Sequence, residues 1–172
     1  MDPRKVSMQD YQALAELRYQ VRRFLRFSEE AARKAGLEPQ QHQMLLAIKG
    51  LPKKRTATVG VLAERLQIHH HSAVELVDRL VERGLVRRFR GRTDRRQVFV
   101  RLRPGGEKIL RELSLYHLAE LRLVGPDLVK ILQQLIAGAN AAMKLEDPEK
   151  RRTLVLSLAG AESSWLRTEA KP

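Results

Sequence analysis

The spacing of apolar residues changes at Gly84, and this change constrains the fold more than any other feature of the sequence. Before Gly84, apolar residues at positions 73, 76, 77 and 80 follow the spacing of a helix with one buried face. After it, side chains alternate from Val98 to Leu102 as they do in a strand. Glycine directly after the periodic run favours a helix end. The sequence therefore predicts a helix followed by a short β-hairpin.

Helices are predicted on both sides of this unit. Gly36 is a helix stop, Pro39 a first-turn residue and Thr58 an N-cap. Gly125–Pro126 is expected to break the helix that follows the hairpin. Four predicted helices have both ends, at 7–35, 58–66, 70–83 and 147–166. Three more run from 39 to the connector at 50–54, from 104 to the break at 125–126, and onward from that break. The predicted strands are 85–89 and 97–102.

The positive charge of the chain is concentrated in the predicted hairpin. The 172 residues carry 33 Lys and Arg against 20 Asp and Glu, a formal net charge of +13. Residues 87–103 hold eight arginines and one acid, Asp94, so this window contributes +7. Apolar residues such as Phe89 and Phe99 are interleaved with the arginines, which indicates an ordered element. This pattern favours a nucleic-acid partner over a solvated surface loop.

Composition excludes several other classes of protein. A hydrophobic fraction of 43% supports a buried core, and the absence of cysteine excludes disulfides, thiolate metal sites and thiol redox sensing. We expect a cytoplasmic protein with no membrane partner, because no run spans a bilayer and residues 1–8 lack a signal-peptide core. We expect no enzyme and no cofactor. Ser72 and His71 are neighbours in the sequence, which does not make a catalytic pair, and no glycine-rich phosphate loop is present.

The order helix, turn, helix, basic hairpin is typical of a protein that reads double-stranded DNA. The second helix of such a motif enters the major groove, while the hairpin loop reaches the minor groove or the backbone. The predicted helices near both ends have apolar faces too wide for one small domain to cover. We therefore expect a homodimer, which matches a palindromic operator.

Two linked segments carry a family resemblance. Residues 61–88 contain LAERL, LVDRL and RGLVRR, and residues 94–106 read DRRQVFVRLRPGG, with EPQQHQMLLAI before them. These segments resemble the MarR family of bacterial winged-helix transcription regulators, roughly over residues 11–140. The resemblance implies a single, mainly α domain over 1–172. Its parts are a winged helix-turn-helix lobe at 39–103, dimerisation helices at 7–36 and 104–145, and an extension at 146–172 that is expected to be helical.

The resemblance also implies a homodimeric regulator of its own or neighbouring genes, in many members a repressor that a small ligand releases. Asp94 and Arg96 match the wing pair that holds the loop in shape. We expect Val74 to contact a thymine methyl group and Glu75 to accept a hydrogen bond from the amino group of cytosine. The predicted DNA-binding residues are Thr58, His69, His70, His71, Ser72, Val74, Glu75, Arg79, Arg90, Arg92 and Arg95, with Arg92 and Arg95 at the wing tip; Arg87, Arg88 and Arg90 stay unranked between phosphate contact and strand surface.

Other functions stay open at this point. The winged helix is also compatible with an architectural, weakly specific DNA-binding protein and with a module for protein contacts. A metal-responsive site at His42 and His117 is a weaker alternative, and consecutive histidines at 69–71 diverge by about 100° each, which suits one metal poorly. A ligand pocket would draw on Tyr19, Phe24, His42, Met44 and Tyr116, although core packing is the favoured role for these residues. Residues 147–172 are expected to reinforce the dimer, or else to form a surface extension.

Overall fold

A computed structural model describes residues 6–52, 55–90 and 98–143, with side chains described as far as residue 138. The elements, in chain order, are α1 (Met8–Lys34), α2 (Pro39–Gly50), α3 (Val59–Leu66), α4 (His70–Glu82), β1 (Val86–Arg90), β2 (Val98–Leu102) and α5 (Pro104–Met143). The predicted fold class is confirmed: the chain is mainly helical and has a small hairpin. The chain divides into two compact units, Met1–Arg22 with Val124–Pro172, and Arg23–Leu123.

The predicted helix ends are confirmed at three positions. Gly36 and Gly84 adopt positive φ angles of 73° and 67°, a conformation that glycine accepts without strain. Thr58 is the N-cap of α3, where its hydroxyl accepts from the main-chain N–H of Val61 at 3.3 Å. Gln67, in the turn between α3 and α4, adopts a left-handed conformation with φ 54°. These ends determine where the helix-turn-helix begins and turns.

Gln41 and Arg83 tie the end of α4 to the start of α2. The side-chain oxygen of Gln41, which is buried, accepts from the main-chain N–H of Glu38 at 3.1 Å and from Arg83 at 2.6 Å. Arg83 also donates to the main-chain oxygen of Gly36 at 2.7 Å. The last turn of α4 is therefore held by side-chain hydrogen bonds as well as by apolar packing.

The core of the second unit lies under the helix-turn-helix. The predicted apolar stripe of α4 is buried and packs with residues of α2, α3, the hairpin and the first half of α5. The fully or nearly fully buried members are Ala32, Leu37, Met44, Leu45, Leu62, Ala73, Leu76, Val77, Leu80, Val86, Val100, Leu110 and Leu113. Burying one such aliphatic side chain contributes about 1.5–3 kcal/mol. The opposite face of α4 is thereby directed outward.

The hairpin is joined to the start of α3. β1 and β2 pair antiparallel, with Val86 opposite Leu102 and Arg90 opposite Val98. On its other side β2 bonds to the segment before α3: the N–H of Val100 donates to the oxygen of Ala57 at 2.8 Å, and Thr58 forms a bridge with Phe99. The residue that caps α3 is therefore also bound to the hairpin.

The predicted helix break is wrong, because α5 continues through Gly125–Pro126 without a break. Proline removes one main-chain donor and favours a kink. Val124 and Ile131, on both sides of Pro126, are buried, and this packing offsets the lost hydrogen bond. The predicted helix from Asp147 and the predicted strand residue Gln97 lie outside the described residues.

Both long helices expose large apolar side chains. On α1 these include Tyr11 and Leu14, and on α5 they include Leu121, Leu132 and Ile136. Exposed apolar area of this extent is unusual unless another surface covers it. Within the described residues, no helix has both the length and the apolar character needed to cross a membrane.

Candidate nucleic-acid interface

A cleft of about 640 Å³ opens between the start of α3, the outward face of α4 and the hairpin. It is lined by Thr58, Val59, Gly60, His70, Val74, Arg88 and Val98. Thr58, His70 and Val74 are predicted DNA-binding residues, so the fold brings three of them to one concave surface. The same cleft adds Arg88, which the sequence left unranked.

The remaining predicted residues of α4 lie along the same outward face. His69, His71, Glu75 and Arg79 are exposed, and Ser72 is half-buried. The rings of His69 and His71 stack in parallel with their centroids 5.5 Å apart. His69 is the N-cap residue, and its side chain makes no capping hydrogen bond. Main-chain N–H groups at such a helix start attract phosphate.

Both acids near the middle of this face have a cationic partner. Glu75 lies 3.5 Å from Arg79, one turn further along the exposed surface, a pair that contributes little to stability. Asp78 accepts a hydrogen bond from Arg88 of β1. The partners reduce the repulsion that these carboxylates would otherwise exert on phosphate groups.

The three arginines of β1 occupy different environments. Arg88 points toward α4 and donates to Asp78 and to the main-chain oxygen of Val74. Arg87 is exposed on the opposite face of the hairpin, where it lies across from Arg101. Arg90, exposed at the end of β1, follows Arg88 on the same face. All three arginines are exposed, and Arg88 differs from Arg87 and Arg90 in that it bonds to α4.

The wing tip lies outside the described residues. Arg92 and Arg95, predicted to enter the minor groove, and the predicted pair of Asp94 with Arg96 all belong to residues 91–97. Their roles stay predictions. The sequence reasoning also missed the contact between Arg88 and Asp78, because these partners are ten positions apart and meet only through the turn at Gly84.

His42 and His117 come together but do not form a metal centre. Their rings stack in parallel with centroids 4.8 Å apart, so their nitrogens do not converge on one ion. His117 places Nδ1 2.6 Å from the Leu113 carbonyl oxygen and Nε2 2.7 Å from the Ser28 hydroxyl. In the part of the chain that the structure describes, no group of three or more His, Cys, Asp or Glu side chains is arranged to hold a metal.

The residues considered for a ligand pocket divide into two groups. Met44 and His42 are buried and Phe24 is half-buried, in keeping with core packing. Tyr19 and Tyr116 are 55% and 63% exposed, so the expectation that they pack in the core is wrong for the single chain. Burial of His42, together with the nearby charge of His117, lowers its pKa to about 4.

The comparisons with known proteins agree with this geometry. Residues 35–97, which include α2, α3, α4 and β1, match the sequence model of the MarR family. Over these residues the chain resembles the winged helix of the MarR family. The match covers the cap of α3, the whole of α4 and β1, and therefore includes every lining residue of the cleft except Val98. No curated protein matches the chain by sequence.

Solved MarR-family structures share the fold beyond the winged helix. A MarR family transcription regulator is 20% identical with a TM-score of 0.65, covering 88% of this chain and 93% of its own. AbsC, a MarR family regulator from Streptomyces coelicolor, is 20% identical with a TM-score of 0.63, covering 92% and 99%. A mutant of S. aureus MepR, solved bound to an oligodeoxyribonucleotide, is 15% identical with a TM-score of 0.53, covering 91% and 96%. At these identities the likeness establishes the MarR fold with its long terminal helices.

Proposed function

We propose that this chain is a sequence-specific, double-stranded DNA-binding transcriptional regulator that acts as a homodimer and represses its own or neighbouring genes. One observation carries the proposal: Thr58 at the start of α3 and His70 and Val74 on α4 line a single cleft beside a basic hairpin. The likeness to MepR, which is solved bound to an oligodeoxyribonucleotide, supports a DNA partner.

Different elements perform different parts of the proposed recognition. The start of α4 enters the major groove, where His70, His71, Val74 and Glu75 meet base edges. Thr58 and Ser72 bind phosphate oxygens, as does Arg79 nearer the backbone. The hairpin supplies Arg90 and the wing-tip arginines. Charge on the hairpin sets the affinity for any duplex, while α4 selects the sequence.

The dimer is proposed from the exposed apolar side chains of the two long helices. A second copy would cover residues such as Leu14 and Ile136, which water surrounds in the single chain. Two winged helices related by a two-fold axis read two half-sites about one helical turn of DNA apart. Residues 146–172 are proposed to extend the same interface.

A small-molecule effector forms the last part of the proposal. A cavity of about 490 Å³ opens between α1 and α5 within the second unit, and its size suits a small ligand. It is lined by Phe27, Glu30, Ala31, Lys34, Ala35, Glu112, Leu113 and Tyr116. The mixture of apolar, acidic and basic groups suits an amphipathic molecule. Such a molecule should lower the affinity for operator DNA and lose this effect when Ala31→Trp fills the cavity; release that persists in this variant excludes the cavity.

Selection from a random pool of duplexes tests the central proposal. We expect the protein to enrich a palindromic sequence and to bind it about 10³-fold more tightly, or better, than a scrambled duplex of the same length. The affinity for both duplexes should fall as salt concentration rises, because phosphate contacts release counterions. Fluorescence anisotropy at several salt concentrations measures both quantities.

The same selection tests which residues read bases. We expect Val74→Ala and Glu75→Ala to change the enriched sequence, while Arg90→Ala weakens binding to every duplex. Gln43→Ala, on the exposed surface of α2, is the matched control and should leave both properties unchanged. If Val74→Ala and Glu75→Ala weaken all duplexes equally and enrich the wild-type sequence, their assignment as base readers is wrong.

The alternatives give different results in these assays. An architectural protein would bind selected and scrambled duplexes equally, and a module for protein contacts would show no salt-dependent binding to DNA. A metal-responsive regulator would bind the selected duplex differently after addition of Zn²⁺ or a chelator, whereas we expect no change. Each of these results would contradict the proposed regulator.

A further inference from the structure

Arg88 connects α4 to the hairpin through two acceptors. Its guanidinium donates to the carboxylate of Asp78 and, at 3.2 Å, to the main-chain oxygen of Val74. Both acceptors lie on α4 and are one turn apart, whereas Arg88 lies in the middle of β1. A planar guanidinium reaches two acceptors at once in a fixed geometry, which the single ammonium of lysine does not reproduce.

These contacts lie where the two proposed DNA-binding elements meet. The side chain of Val74 lines the cleft while its main-chain oxygen accepts from Arg88. β1 ends at Arg90, and the residues that follow are the predicted wing tip. A change in the angle between α4 and β1 would therefore move the base-reading side chains relative to the wing.

The charge of Asp78 gives a second reason for the pairing. Asp78 is half-buried on the outward face of α4, and a carboxylate there repels the phosphates of bound DNA. Its hydrogen bond to Arg88 makes the pair neutral overall. The pair therefore holds the helix in place without adding net charge to the interface.

We infer that Arg88 is a positioning residue, which acts through Asp78 and the Val74 main chain to set the orientation of α4 against the hairpin. This orientation determines how strongly the protein prefers its selected sequence over unrelated DNA. The inference rests on the proposed DNA-binding function. The competing role for Arg88 is a direct phosphate contact that Asp78 weakens.

The substitution Asp78→Asn separates the two roles because they predict different preferences between the selected and the scrambled duplex. For a positioning residue, loss of the charged acceptor should lower the preference for the selected duplex about tenfold, measured as the ratio of its affinity to that of the scrambled duplex. For a direct phosphate contact, the same substitution removes an acid from the interface and releases the guanidinium. The affinity for both duplexes would then rise by the same factor and the preference would stay unchanged, a result that would overturn the inference.

Arg88→Lys provides an independent measurement. It keeps the charge but not the forked geometry, so we expect the same tenfold loss for the selected duplex with an unchanged salt dependence. Arg87→Lys, on the opposite face of β1, is the matched control and should bind as the wild type does. Retained binding to the scrambled duplex shows that a variant is folded. If Arg88→Lys keeps full preference for the selected duplex, the inference is wrong.

The order of measurement keeps the two proposals distinguishable. Wild-type protein is first tested for its preference between selected and scrambled duplexes, and a missing preference contradicts the proposed function itself. In another outcome, the wild type shows the preference while Asp78→Asn and Arg88→Lys lower the affinity for both duplexes equally at an unchanged melting temperature. That result contradicts the positioning role of Arg88 and leaves the proposed function intact.

Discussion

Gly106→Ala is expected to lower the free energy of unfolding by about 3 kcal/mol, although it places alanine in a helix. Gly106 is buried in the first turn of α5, and a Cβ added there would lie 2.3 Å from the main-chain oxygen of Leu85. That oxygen already accepts from the N–H of Arg103 at 2.9 Å. The start of α5 and the start of the hairpin would therefore have to separate, which main-chain atoms cannot do by a change of rotamer.

The neighbouring glycine provides a matched control with the opposite expected sign. A Cβ added at Gly105 would lie 3.8 Å from the side chain of Leu85, an ordinary contact. Gly105→Ala should therefore stabilise the protein by about 0.5–1 kcal/mol through helix propensity. Urea denaturation of the two variants measures both values. Equal effects would show that the close approach at Gly106 does not determine stability.

The contribution of His42 to the free energy of unfolding should fall by roughly 3 kcal/mol between pH 6.5 and pH 4. Burial, with the added charge of His117, lowers the pKa of His42 from 6.5 to about 4 in the folded chain. Between these two values the unfolded chain binds more protons than the folded chain. The contribution of His42 is therefore complete above pH 6.5 and is lost as the pH falls toward 4.

Denaturation at a series of pH values measures this effect, with two variants for comparison. His42→Gln should show a shallower loss of stability over this range, whatever its stability at neutral pH. His71→Gln, at an exposed position on α4, should retain the wild-type pH dependence. If His42→Gln loses stability with pH as steeply as the wild type does, the lowered pKa of His42 is not the cause.

The spacing of nearby residues predicted those helices and helix ends that depend on apolar periodicity or on a glycine a few positions away. The buried stripe of α4 and the ends at Gly36 and Gly84 follow from side-chain periodicity and from glycine's tolerance of positive φ. The break at Pro126 was predicted by the same local reasoning and is absent, because burial of Val124 and Ile131 outweighs one lost hydrogen bond. Local rules fail where packing contributes more energy than a single main-chain contact.

The candidate site was predicted in part, for a related reason. Thr58, His70 and Val74 meet at one cleft as the helix-turn-helix pattern implies. The partnership of Arg88 with Asp78 depends on how the hairpin packs against α4, and no spacing rule reports that packing. The exposure of Tyr19 and Tyr116 likewise depends on which surfaces meet, since an aromatic residue at helical spacing fits a core and an interface equally well.

The hydrogen bonds of Arg83 make α4 mechanically uneven along its length. Its last turn is anchored to Gln41 and Gly36 at the junction of α1 and α2, whereas its first residue is capped by no side chain. Arg88 also holds the middle of the helix from the hairpin, so side-chain hydrogen bonds restrain α4 at its middle and at its end, while no capping side chain holds its start. The first turn, which carries His70 and His71, is therefore the part of α4 that these bonds leave able to adjust to another surface.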